Sequence, residues 1–248
     1  LVKQYEFKPM PVQSPLLISQ QLLAALGTRI FIHHQDRIPP DSAVVVVSNH
    51  RSFMDAPVLM STLNRPIRFA CHHYMGQVPL MREFVLRLGC FPLDAPEQRQ
   101  QSFFHQAAQL LQSQQVVGVF PEGTEPMVHL SPSRQIGEFH RGFAHLALRA
   151  PVRNLAVLPV AIVSQRETTN FPVPLKLLSW FDPSEPLFDQ GGWHPMVTYK
   201  QVDVLAGKPF WITEAQRQSY HGKQARSVVS DLMDYCQNEI TTLLHYGC

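Results

Sequence analysis

His50 and Asp55 stand five residues apart in the stretch Asn49-His50-Arg51-Ser52-Phe53-Met54-Asp55, which follows the apolar run Ala43–Val47. An imidazole with an unperturbed pKa near ~6.5 is mostly neutral at pH 7 and can take a proton from an attacking hydroxyl. A carboxylate on its second ring nitrogen fixes the tautomer and steadies the imidazolium that forms. The spacing alone is weak evidence, because 12 histidines and 9 aspartates give about 0.4 such pairs by chance in a chain of this length. Ser52-x-x-Asp55 also fits a capping box, in which Asp55 would only satisfy a backbone N–H at a helix start. Pro57 places that start nearer Met54 or Asp55 and weakens the box without deciding between the readings.

A second stretch, Val119-Phe120-Pro121-Glu122-Gly123-Thr124, again closes an apolar run. Its glycine lets a ligand approach the backbone closely, although the same letters also describe an ordinary turn. Between and beyond these lie Gly89-Cys90-Phe91-Pro92-Leu93-Asp94, then Arg141-Gly142 ahead of Leu146-Ala147, then Val157-Leu158-Pro159-Val160.

Both stretches have to be carried by strands ending at one edge. Short β-branched runs alternate with helical patterns, which predicts an α/β domain with a mixed sheet flanked by helices. Strands are expected at Ala43–Val47, Ile67–Cys71, Cys90–Leu93, Val116–Phe120, Leu155–Val163 and Met196–Leu205. Helices are expected at Asp55–Leu63, Leu80–Leu88, Glu97–Ser113, Gly142–Arg149 and Thr213–His245, with a loop over Pro126–Gln135. Ser14–Ile32 carries leucines at helical spacing and predicts an N-terminal amphipathic helix, so residues 1–40 read as an arm and 41–248 as the α/β domain.

In order and spacing these segments resemble the glycerolipid acyltransferases, the family that includes 1-acylglycerol-3-phosphate acyltransferase, over roughly Val44 to Val163. N-H-x-S-x-x-D is matched in full at Asn49, His50, Ser52 and Asp55, and F-P-E-G-T in full at Phe120–Thr124. The resemblance implies a glycerol-phosphate acyltransferase-like fold and acyl transfer from a thioester, coenzyme A or acyl carrier protein, to a lipid hydroxyl. It implies His50 as base and Asp55 as its partner. Glu122, Gly123 and Thr124 would line the acceptor site, with Glu122 orienting a hydroxyl; Asn49, Ser52, Gly89, Asp94 and Pro159 would support the site. The family's two phosphate-holding arginines are replaced by Ala95 and Glu125. Arg51, Arg99, Arg134 and Arg141 are candidate substitutes, Arg141 foremost because it precedes the helix that carries Gly142. An acceptor without a phosphomonoester is the alternative: a lysoglycolipid, a lysophosphodiester or an aminoacyl lipid.

The oxyanion of the tetrahedral intermediate would find donors in backbone N–H groups at the start of the helix after His50. No G-x-S-x-G elbow is present, which removes the serine-esterase reading; a non-catalytic lipid or carrier-protein binding module would not need both His50 and Asp55. The pairs His33-His34 and His72-His73 lack ligand spacing, so no metal and no bound cofactor is expected.

The formal charge of +2 excludes the dense basic surface of a nucleic-acid binder. Charged residues make up only 16% against 45% apolar, a composition suited to work beside an apolar phase. No run of 18 apolar residues occurs, so membrane contact is expected to be peripheral, through the N-terminal helix or through Phe171–Phe181 (FPVPLKLLSWF). Four cysteines without a C-x-x-C pair, and no visible secretory signal, predict reduced thiols on the cytoplasmic side of a membrane.

Overall fold

A computed structural model of the chain describes residues 14–71, 79–93, 96–123, 125–130, 132–180, 186–189 and 191–247. At its centre is the run AVVVV. Strand β2 (Ala43–Ser48) is buried at every position because it lies between β6 (Leu155–Pro174) and β5 (Val116–Val119), parallel to both. On one face Val45 and Val47 pack against helices α4 (Pro96–Gln112), α6 (Gly142–Arg149) and α9 (Ala225–Tyr246). On the other, Val44 and Val46 meet α1 (Pro15–Ala25) and α2 (Asp55–Leu63). A strand covered on both faces favours apolar side chains, hence the valines up to Ser48 at its end.

Among the described residues the sheet has eight strands, in the order β1 (Arg29–His33), β7 (Trp193–Ala206), β6, β2, β5, β3 (Ile67–Cys71), β4 (Phe91–Pro92), with β8 (Phe210–Trp211) beside β6. The β6–β7 and β6–β8 pairs are antiparallel and the others parallel, so the sheet is mixed as expected. β2, β5, β3 and the first part of β6 run the same way. Their C-terminal ends form one edge, from which the 49–54 and 120–123 turns emerge. Pro159 is tolerated inside β6 because its carbonyl accepts the Gly207 N–H just where β7 has ended, so its missing N–H points to the same unpaired side.

Several element boundaries differ from the sequence reading. The expected helix over Ser14–Ile32 stops at Ala25; Gly27 turns the chain at φ +66°, and Arg29–His33 becomes an edge strand parallel to β7. Leu23 is buried, and Leu16, Leu26 and Ile30 pack on the α2 core, so α1 and β1 spend much of their apolar surface within the domain. The expected loop over Pro126–Gln135 starts inside a short helix, α5 (Glu125–Val128). β6 runs on to Pro174 and meets α7 (Leu175–Ser179), which divides the FPVPLKLLSWF stretch between a strand end and a helix. The closing helix is two: α8 (Glu214–His221), begun by a capping box of Thr213 and Gln216, and α9, with Gly222 between them. Helix α3 (Pro79–Arg87) lies close to its expected position.

Candidate active site

The 49–55 turn is held by its own backbone and by two strands. Asn49 prolongs the β2–β6 ladder with its side chain: its Nδ2 donates to the Ile162 carbonyl at 2.9 Å and its Oδ1 accepts the Ile162 N–H at 2.8 Å. The amide imitates a further residue of strand while freeing the backbone to turn, and His50 therefore leaves the sheet edge at a fixed height. Ser52 Oγ donates to the Val197 carbonyl of β7 at 2.6 Å and accepts the Met54 N–H at 3.0 Å. A hydroxyl tied to backbone in this way is not poised as a nucleophile.

Asp55 is fully buried and acts as the hub. Its Oδ2 accepts His50 Nδ1–H at 2.8 Å and the backbone N–H groups of Arg51 and Ser52 at 2.7 and 2.8 Å. The backbone donors have only protons to give, so Oδ2 is an acceptor and the Nδ1 proton belongs to His50. That tautomer leaves the lone pair on Nε2, the nitrogen a base needs. The Asp55–Ser52 N–H bond is half of a capping box, but the Ser52 hydroxyl does not return the bond to Asp55, so the capping and catalytic readings share one carboxylate. The N–H groups of Arg51 and Ser52 are spent on Asp55, that of Met54 on Ser52 Oγ and that of Asp55 on the Ser52 carbonyl. These four groups at the helix start are therefore not oxyanion donors, which narrows the expected donors to the remaining N–H groups of the turn, Phe53 and Ala56.

The remaining oxygen, Asp55 Oδ1, accepts from the Tyr199 hydroxyl at 2.8 Å. Burial first, and the neighbouring Asp55 charge second, hold the Tyr199 phenol well above its ordinary pKa, so it remains a donor. Nothing in the sequence near His50 marks Tyr199. The available signal was the alternation in Met196–Leu205, which puts Val197 and Tyr199 on one face.

Glu122 grips the turn from the other side. Its Oε1 accepts the His50 N–H at 3.0 Å and its Oε2 the Gly137 N–H at 2.6 Å. Burial raises its pKa although both N–H bonds and His50 pull the other way. With both oxygens committed, Glu122 stands as a brace between two loops, whereas the resemblance implies a ligand for an acceptor hydroxyl. Gly137 eases this approach, since a Cβ there would sit 3.3 Å from Oε2, closer than an ordinary contact, and Gly123 suits its φ of +72°. The His50 ring stacks on Phe120 at 4.0 Å, and Phe120 on Phe69 at 5.0 Å. Gly118 makes the stack possible: a Cβ there would come within 2.0 Å of the Phe69 ring.

The other candidates separate clearly. Arg51 forks onto Glu167 of β6, at 2.6 Å from Nη2 and 3.3 Å from Nε, and its Nη1 is buried without a hydrogen-bond partner. Burial would raise the Glu167 pKa, but the Arg51 bond and charge prevail and lower it. Arg141 is exposed, one residue beyond the bond from His140 N–H to the Pro121 carbonyl, which keeps it beside the Glu122 turn. Arg134 instead donates to the Leu244 carbonyl at the end of α9, away from His50. Gly89, at φ +75°, closes α3 before β4 and sits against Arg68 and Pro15, away from the catalytic edge. Asp94, Ala95 and Thr124, like His72 and His73, lie outside the described residues, as does the Arg99 side chain. Among the described residues no three His, Cys, Asp or Glu side chains gather as a metal site, and no helix is long and apolar enough to cross a membrane. Burial pushes Cys71 up to about 11 and Cys90 to about 12, so neither is a thiolate at neutral pH.

Comparison with known proteins decides what this geometry belongs to. The acyltransferase family model matches residues 29–163, more than half of the chain and including both the His50 turn and the Glu122 turn. The chain belongs to the acyltransferase family. A probable 1-acyl-sn-glycerol-3-phosphate acyltransferase of Mycoplasma genitalium is 31% identical over 134 residues, 52% of this chain and 47% of that protein. One of Mycoplasma pneumoniae is 29% identical over 147 residues, 55% and 50% respectively, and a chloroplastic 1-acyl-sn-glycerol-3-phosphate acyltransferase of Arabidopsis thaliana is 28% identical over 137, 54% and 36%. The chain thus spans about half or less of the length of these relatives. In three dimensions it is similar to the crystal structure of the 1-acyl-sn-glycerophosphate acyltransferase PlsC from Thermotoga maritima, with a TM-score of 0.60 over 93% of this chain and 76% of that one, at 17% identity. That likeness establishes the fold of this family member. The acyltransferase match reaches back to Arg29, in keeping with β1 as a strand of the sheet.

Proposed function

We propose that this acyltransferase moves a fatty acyl chain from an acyl thioester, coenzyme A or acyl carrier protein, to the hydroxyl of a lysophospholipid of the 1-acylglycerol-3-phosphate type. The observation that carries the reading is the hydrogen bond from His50 Nδ1 to a buried Asp55 whose other bonds all come from donors, which leaves the lone pair on Nε2 to act as a base. The acceptor hydroxyl gives its proton to Nε2 as its oxygen attacks the thioester carbonyl. The tetrahedral intermediate then expels the thiolate, which recovers that proton from Nε2. His50 ends unchanged, and no acyl-enzyme forms. Asp55 steadies the imidazolium between the two steps. The buried, unpartnered Nη1 of Arg51 is one donor beside this turn for a substrate oxygen.

The arginines favour a second reading of the acceptor alone. Arg51 is already paired with Glu167 and Arg134 is engaged elsewhere, which leaves Arg141, among the candidate arginines whose side chains are described, to hold a phosphomonoester. A lysolipid without a free phosphate is then the preferred acceptor. Incubation with an acyl thioester and a panel of lysolipids, with the product identified by mass, tests both readings. An acylated lysolipid is expected. Thioester hydrolysis independent of any acceptor would replace the transferase by an esterase, and no consumption at all would leave a binding module. Preference for lysophosphatidic acid that falls with Arg141→Ala supports the phosphate reading; preference for a phosphate-free lysolipid supports the second.

A further inference from the structure

β6 runs parallel to β2 up to the Ser48–Val160 register and then continues, with β7 antiparallel beside it, past the edge from which His50 emerges. From Val163 to Pro174 the hairpin extends roughly 35 Å at ~3.3 Å per residue. Its near end forms part of the catalytic wall, since Glu167 holds Arg51 and Tyr199 holds Asp55. Among the described residues nothing covers its far end: Trp180 is 80% exposed, Trp193 55% and Phe171 53%, with Leu177 and Met196 exposed beside them. Lys176 is the exposed cation of this tip and Asp189 its exposed carboxylate among the described residues.

Lower on the hairpin the chemistry changes. A cavity of about 340 Å³ is lined by Gly27, Arg29, Arg166, Thr168, Lys200 and Gln201: three cations and no carboxylate. The Arg29 and Arg166 guanidinium groups form no ion pair with any described residue, and Lys200 is held only by the Leu26 carbonyl. Arg29 and Arg166 both register with Gln201, whereas the next pair, Glu167 with Tyr199, turns to the catalytic side. The ladder shifts register between Arg166 and Glu167, and the cavity shares no lining residue with the His50 site, so it is not the place where an acceptor meets the base.

We propose that this hairpin docks the protein on a phospholipid bilayer, with the aromatic tip in the interface and the Arg29–Arg166–Lys200 cavity on an anionic headgroup. Tryptophan at an exposed tip suits the boundary between acyl chain and headgroup, and cations with no protein partner complement lipid phosphate one level above it. The hairpin grows from the catalytic edge, so docking aims the His50 turn at the membrane. This orientation gives the proposed acyl transfer access to embedded acceptors, but the docking itself rests on exposure and charge and stands without the chemistry.

The chain holds three tryptophans, which makes the orientation measurable. Trp180 and Trp193 lie at the tip, whereas Trp211 pairs with Ala156 at the opposite end of β6. Vesicles of phosphatidylcholine with phosphatidylglycerol, carrying brominated acyl chains, are expected to quench the Trp211→Phe protein and to spare the Trp180→Phe/Trp193→Phe protein. Quenching of Trp211 instead, or of neither, overturns the proposal. Arg29→Gln/Arg166→Gln is expected to weaken partition into the anionic vesicles roughly tenfold or more and to leave partition into phosphatidylcholine alone unchanged. Equal partition of this variant and wild type overturns the headgroup assignment, and so does displacement of bound protein by free coenzyme A or glycerol 3-phosphate. Trp180→Ser/Trp193→Ser is expected to lose activity on vesicle-embedded lysolipid while keeping it on a water-soluble short-chain one; equal loss on both contradicts a docking role. Wild type that is quenched as expected but acylates neither acceptor would leave the docking standing and remove the proposed function.

Discussion

Replacing Tyr199 by Phe removes one oxygen and tests whether the carboxylate behind His50 is held from two sides. The lost bond, 2.8 Å from a buried phenol to Asp55 Oδ1, is a hydrogen bond to a charged group, worth about 1.5–3 kcal/mol net. The ring keeps its place in the α2 core, so the cavity left is a single hydroxyl and no large packing loss adds to it. Roughly 1–2 kcal/mol of positioning lost at Asp55 corresponds to a fall of about 5- to 30-fold in kcat/KM. At about 2–4 °C per kcal/mol for a domain of this size, Tm should drop about 3–12 °C. The same substitution has a pH signature. Burial and Asp55 raise the folded-state pKa of Tyr199 above its ordinary value, so the group's contribution to stability is complete below about pH 10 and is lost as pH climbs beyond it. Wild type should therefore lose more Tm between pH 9 and pH 11 than Tyr199→Phe, with the difference isolating Tyr199 from the other buried phenols and thiols. Steady-state kinetics and Tm across pH measure both effects. Unchanged kcat/KM, or parallel alkaline slopes for the two proteins, would refute the reasoning.

Three further outcomes follow from the same geometry. Glu122→Ala removes two hydrogen bonds to a carboxylate, from the half-buried His50 and the exposed Gly137, worth about 1–3 kcal/mol in all, so a Tm loss together with a fall in kcat is expected; unaltered KM for the acceptor with that fall in kcat would separate a brace from an acceptor ligand. Gly118→Ala drives a methyl into the Phe69 ring and should cost about 1–3 kcal/mol in chemical denaturation while disturbing the His50–Phe120 stack; wild-type stability would contradict the close approach. Asn49→Ala removes a two-bond splice to β6 and should lower both stability and kcat, whereas loss of stability alone would mean that the splice does not set the height of His50.

What could be read from the sequence was local in space as well as along the chain. His50 and Asp55 meet because five residues of turn bring them together, and the valine runs of β2 and β5 announce a sheet buried on both faces. Tyr199 and Glu167 could not be found that way: they lie 144 and 116 residues from their partners, and only the β6–β7 register brings them to the turn. Glu122 was visible, but a motif letter carries no hint that each of its carboxylate oxygens accepts a backbone N–H. The N-terminal helix was drawn too long because Ile30 continues the spacing of Leu16, Leu23 and Leu26. Gly27 followed by the β-branched Thr28 was the break, and in the structure the chain turns there into β1. Gly222 gave the same warning inside the last helix.

The central claim is that His50 takes the acceptor's proton with Asp55 behind it. Thiol release from an acyl thioester, measured with and without lysolipid for wild type and His50→Ala side by side, tests it most directly. The account predicts release that requires the lysolipid, matches ester formed mole for mole, and falls by about 10²- to 10⁴-fold in His50→Ala while Tm stays near wild type. Near wild-type release by folded His50→Ala, or release indifferent to the lysolipid, would contradict it.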